Sequence, residues 1–139
     1  MNPTFEHFDH TADMGLRIRA ATHAELLKPA GEALYAAIGD LMAGESVDSI
    51  EFNLSGQDAA GLLRDYLTEL LHLFECKHEM ATAVDVLKFD DQALQATVAL
   101  AGVDFDRSDL RREVKAITYH ELSIDKIEGG YEATLIVDI

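Results

Sequence analysis

Apolar residues recur every three or four positions through two stretches of this chain and alternate with polar ones through much of the rest. In the first stretch, Leu27, Ala30, Leu34, Ile38 and Leu41 fall on one helical face. They follow Thr22 and Glu25, which have the spacing of a capping box, where the hydroxyl and the carboxylate each accept from an otherwise unpaired backbone N–H. This predicts a first helix from about His23 to Met42, with a kink or an irregular first segment at Pro29, which lacks the N–H a helix interior uses. The second stretch is wider. Leu62, Leu63, Tyr66, Leu67, Leu70, Leu71 and Phe74 oppose Arg64, Asp65, Thr68, Glu69, His72 and Glu75. A helix over roughly Gln57 to Glu75 follows, with Ser55 or Gly56 near its start.

The remaining segments read as extended. "FEHFDH" and "LRIRA" flank a polar run, and "SIEFNL" leads into the second helix. "ATAVDVLKFDD" and "QALQATVAL" form a hairpin about a polar Asp-Asp turn. "GVDFDRSDLRRE" has no convincing period and reads as a loop. "VKAITYHELSI" and "YEATLIVDI" flank an "EGG" turn as two more strands. Strands grouped around two helices, without βαβ alternation, predict a two- or three-layer α+β fold: a single compact domain with mixed or antiparallel sheets on two main helices.

A chain of 139 residues, 48% hydrophobic, can bury one core and is short for two. It has no run of about 18 apolar residues to span a bilayer, and its start lacks the basic and apolar regions of a secretory signal. We expect a soluble cytoplasmic protein with no membrane contact, whose lone cysteine, Cys76, is a reduced thiol at a helix end. Charge narrows the functional classes further. The balance of 11 basic against 26 acidic residues gives a net charge of −15, spread along the chain. Nucleic-acid affinity rests on cations that neutralise phosphates, so no direct nucleic-acid binding is expected. A basic protein surface or a metal ion fits that charge, and so does simple solubility.

The chain has neither GxGxxG nor GxxxxGK[ST], which excludes nucleotide binding by those devices. Ser55 and Ser123 lack the GxSxG setting of a nucleophile, and Cys76 has no evident base. Carboxylates and histidines remain. In "FDHTADMG", Asp9, His10 and Asp13 crowd into five positions. Hard cations take several oxygen ligands, so one segment is not enough, and the last residues, Asp138 and Ile139, offer a side-chain and a main-chain carboxylate. The bland reading stands beside this one: Asp and Thr in turns bond to nearby backbone N–H groups, and His10 and His120 serve as hydrogen-bonded structural histidines.

"HTADMG" near the start, "LLRDYLTELLHLFE" in the middle, "VKAITYHELSI" late and a terminal "VDI" follow one another in an order that resembles the archease family over essentially the whole chain. The resemblance implies a small cytoplasmic accessory protein, not a stand-alone enzyme. Its partner would be an RtcB-type RNA ligase of tRNA splicing and RNA repair, whose metal-dependent, GTP-dependent guanylylation and multiple turnover it would promote. A chaperone-like effect on a tRNA methyltransferase is also linked to the family. By motif, the family's divalent metal site, with calcium its usual ion, transfers to Asp13, Asp138 and Ile139. His10 and Thr11 then shape the turn, and Asp9 is unassigned. Residues 102–113 depart from the family pattern and inherit no role. Two alternatives are a metal-dependent hydrolase using His10, Asp13 and Asp138 around an activated water, and a holdase-like chaperone.

Overall fold

A computed structural model describes residues 1–139. The chain opens with a hairpin of β1 (Thr4–His10) and β2 (Asp13–Ala20). In β2, Leu16, Ile18 and Ala20 are fully buried, while Arg17 and Arg19 face the other way into ion pairs with Glu6 and Glu132. Helix α1 (His23–Ile38) follows, capped by the Thr22 hydroxyl, which accepts from the Glu25 N–H at 3.2 Å. It runs through Pro29 without a break, where the sequence predicts a kink or an irregular segment. Pro29 is buried and removes one backbone bond near the N-terminal end, a loss the surrounding core tolerates.

The helix ends at Ile38, short of the expected Met42, because Gly39 and Asp40 form β3 (Gly39–Asp40). A Cβ on Gly39 would lie 2.1 Å from the Asp109 carbonyl oxygen, so only glycine lets the two backbones meet. Next come β4 (Ala43–Ser55), α2 (Ala59–Lys77), β5 (Glu79–Phe89) and β6 (Ala93–Val103). The N-cap of α2 is Asp58, accepting from Gly61 N–H at 2.6 Å. Ser55 and Gly56 lie just ahead of this cap, where Ser55 ends β4 and the Gly56 N–H donates to the Gln92 carbonyl. In the β5–β6 turn, the Asp90 carboxylate accepts from the N–H groups of Gln92 and Ala93, which hold its pKa below the usual 3.8. Cys76 is an exposed free thiol near the end of α2.

The charged connection contains a short strand, β7 (Asp109–Leu110), paired with β3. "VKAITYHELSI" is not one strand. It divides into β8 (Ala116–Ile117) and β9 (Ser123–Ile127), and β10 (Gly130–Asp138) closes the chain. All strand pairs are antiparallel: β1-β2-β10-β8 with β9 also on β10, β4-β6-β5, and β3-β7. Helix α1 packs on β1, β2 and β5, and α2 on β4, β5, β6 and β8, so one core of 29 buried residues joins the helices to both larger sheets. That position explains why α1 is buried round most of its circumference. Neither helix is long and apolar enough to cross a membrane.

Gly39→Ala should destabilise the fold by about 1–3 kcal/mol, the usual cost of forced overpacking. Gly31→Ala, whose Cβ meets only the Leu70 side chain at 3.4 Å, should be neutral or slightly stabilising, because alanine is the better helix former by about 1 kcal/mol. Urea denaturation of the two variants checks both signs.

Candidate metal centre

One row of residues crosses the end of the larger sheet. His10 of β1 pairs with Asp13 of β2, Asp13 with Asp138 of β10, and Asp138 with Ala116 of β8. Directly opposed residues project to the same face, with Cβ atoms about 4.5–5.5 Å apart. His10, Asp13 and Asp138 therefore share the face that also carries Arg17, Arg19 and Glu132. Asp9 pairs with Met14 and belongs to the opposite face, which keeps it out of this row. The Asp138 carbonyl accepts from the Lys115 N–H at 2.7 Å, which fixes the end of β10 one residue before Ile139.

The electrostatics of this row are unbalanced. Neither Asp13 nor Asp138 has a Lys or Arg within ion-pair range. The nearest basic atom to Asp13 is Nδ1 of His10, 3.9 Å from Oδ2. The guanidinium groups on the same face pair farther along it, Arg17 with Glu6 at 3.0 Å and Arg19 with Glu132 at 2.7 Å. Like charges directly opposite on a sheet are destabilising by a few tenths to about 1 kcal/mol. A divalent cation between the two carboxylates would reverse the sign of that interaction, and oxygen donors suit calcium or magnesium.

A second group gathers on the other side of His10. Between β8 and β9 the chain leaves the sheet edge as a turn over 118–122. Thr118 anchors it: its N–H and its hydroxyl each donate to the Ile136 carbonyl at 2.9 Å, and its Oγ1 accepts from the His120 N–H at 3.2 Å. Glu121 sits in the left-handed region with φ 53°. Because β2 and β10 lie between β8 and β1, the turn must cross both strands to touch His10. It does so: Glu121 Oε2 lies 3.2 Å from His10 Nε2, and the His120 ring stands edge-on to His10 at 5.3 Å between centroids. Ile136, which faces the same side, is fully buried.

His10 is thus more than a turn-shaping residue. Its Nδ1 is buried without a hydrogen-bond partner, and its Nε2 meets a carboxylate. The sequence pattern does not single out Glu121, and it leaves open whether His120 serves the site or is a structural histidine. The available signal is the His-Glu adjacency in "YHEL", which an unbroken strand would send to opposite faces.

The family profile described as the Archease protein family matches residues 5–139. The chain belongs to the archease family. Archeases of Methanopyrus kandleri and Methanosarcina barkeri are each 32% identical to it, the first over 97% of this chain and 99% of its own length, the second over 97% and 95%. The solution structure of Methanobacterium thermoautotrophicum protein 1598 superposes with a TM-score of 0.74 at 28% identity, covering 97% of this chain and 98% of that one. A Thermotoga maritima archease described as a possible chaperone shares the fold, with a TM-score of 0.72 at 18% identity over 96% of each chain. The α+β architecture expected from the pattern is therefore the family's own.

The opposed aspartates make a prediction about the metal-free protein. Asp138→Asn should raise its melting temperature slightly, by removing a like-charge pair worth up to about 1 kcal/mol. If a cation binds between the two carboxylates, millimolar calcium should stabilise the wild type, and the same substitution should abolish that gain. Calorimetric melts with and without calcium read both effects.

Proposed function

We propose that this archease is an accessory protein and not itself an enzyme, and that it serves a cytoplasmic RtcB-type RNA ligase. In this reading it presents a divalent cation held by Asp13, Asp138 and the main-chain carboxylate of Ile139. The observation that carries the reading is the in-register opposition of Asp13 and Asp138 with no Lys or Arg to neutralise them. Bound there, the cation would supply concentrated positive charge to the ligase's phosphate chemistry. Asp13 and Asp138 would hold it from two adjacent strands, and Ile139 extends the second of these by one residue.

The net charge of −15 supports docking on a basic, RNA-facing protein surface, and opposes capture of RNA by this chain alone. The hydrolase alternative gains nothing from the fold. None of the five principal clefts is lined by His10, Asp13 or Asp138. The chaperone reading rests on the description of the Thermotoga relative, and aggregation assays with Asp13→Ala separate it, because a holdase would keep its activity in that variant.

A reconstituted ligase supplies the decisive test. Guanylylation and multiple turnover should rise when the wild type is added, and should fall back toward the unassisted rate with Asp13→Ala or with Asp138→Asn. Unchanged stimulation by both variants would remove the site from the mechanism. A tag appended after Ile139 turns its carboxylate into an amide, and calcium affinity should drop by about tenfold or more, the order of effect expected when a metal site loses a supporting group. Calcium titration of tagged and untagged protein measures this.

A further inference from the structure

We infer that His10, His120 and Glu121 form a second metal site, distinct from the carboxylate row and suited to zinc. The ligating atoms of these three residues all lie within 4.8 Å of one another. In a tetrahedral zinc site, donors about 2.0–2.1 Å from the ion stand roughly 3.3 Å apart. Nε2 of His10 and Oε2 of Glu121 are already 3.2 Å apart. The imidazole of His120 is exposed and edge-on to His10, so a side-chain rotation brings its nitrogen into the same sphere without moving the sheet.

The donor set decides the class of ion. Two imidazoles and one carboxylate favour zinc and its borderline neighbours, whereas an all-oxygen set favours calcium or magnesium. His10 also has a carboxylate near the ring nitrogen that a metal at Nε2 would leave protonated. With Nε2 on the ion, the ring proton resides on Nδ1, and metal-ligating imidazoles ordinarily aim that proton at a carboxylate. Nδ1 of His10 is buried, makes no hydrogen bond and lies 3.9 Å from Asp13 Oδ2, a distance that a small side-chain shift closes. An ordinary His–Glu ion pair accounts for the contact at Nε2 alone. The metal site accounts for that contact and for the third donor, and it assigns the Nδ1 proton a nearby carboxylate. Three protein ligands leave one tetrahedral position for water, the pattern of an exchangeable site rather than of a closed structural one.

Zinc binding at this cluster requires no ligase, and titrations of the protein alone separate it from the carboxylate row. Metal-free, full-length protein is titrated with zinc in the presence of saturating calcium, and with cobalt(II) for the visible absorption of a four-coordinate ion. One equivalent of zinc should bind. His120→Ala and Glu121→Gln, at exposed positions where unchanged thermal melts verify folding, should each weaken zinc binding by about tenfold or more while calcium affinity holds. Asp138→Asn should do the reverse, weakening calcium and sparing zinc. Absence of zinc uptake under saturating calcium overturns the proposal. So does zinc affinity that is unchanged in both His120→Ala and Glu121→Gln, or that falls only in Asp138→Asn.

Discussion

The antiparallel register between β2 and β10 is the constraint that organises both the core and the site of this protein. It joins the second strand of the chain to the last and places Asp13 opposite Asp138. Electrostatics cannot be what sets it, since the pair repels. Burial does: Leu16 and Ile18 of β2, with Ala133, Leu135 and Val137 of β10, are all fully buried against the helices. Burying a single large aliphatic side chain contributes about 1.5–3 kcal/mol, against at most about 1 kcal/mol for the opposed charges. A slip of one residue would turn every one of those side chains to the other face. The core therefore holds the carboxylates together against their own repulsion.

The same register leaves a space that the 118–122 turn fills. Strands β8 and β9 both pair with β10 at its edge, but their pairing skips Leu135 and Ile136. The extra residues must leave the sheet, and Thr118 directs them by donating twice to the Ile136 carbonyl. His120 and Glu121 are carried by this excursion to His10, two strands beyond β10. The outer face thus has two neighbouring chemical environments that share one residue. Asp13 and Asp138 supply oxygen on one side of His10, and His120 and Glu121 supply nitrogen and oxygen on the other.

Much of the secondary structure is legible in the sequence because it depends on local period. The wide stripe of α2 and the Thr22–Glu25 cap of α1 are local signals, and the helices lie where those signals put them. The boundaries that differ are set elsewhere. Gly39 ends α1 because the backbone of 109–111, far along the chain, approaches it. Ser55 belongs to β4 because it pairs with Ala93, which leaves the capping of α2 to Asp58. The break in "VKAITYHELSI" follows from the pairing of two separate segments with one strand, which no pattern within those residues records.

At the site the division is similar. Residue types carry the ligand chemistry, so it is readable without a fold: Asp13, His10 and Asp138 are visible as oxygen and nitrogen donors, and the order of motifs points to the family. Which of these donors meet is a property of the folded chain alone. The pleat sends Asp9 to the opposite face and keeps His10 and Asp13 in one row, the β2–β10 register brings in Asp138, and the excursion after β8 brings in His120 and Glu121. Long-range pairing does this because a strand's side chains have only two directions, and which neighbours they find depends on the register that burial selects.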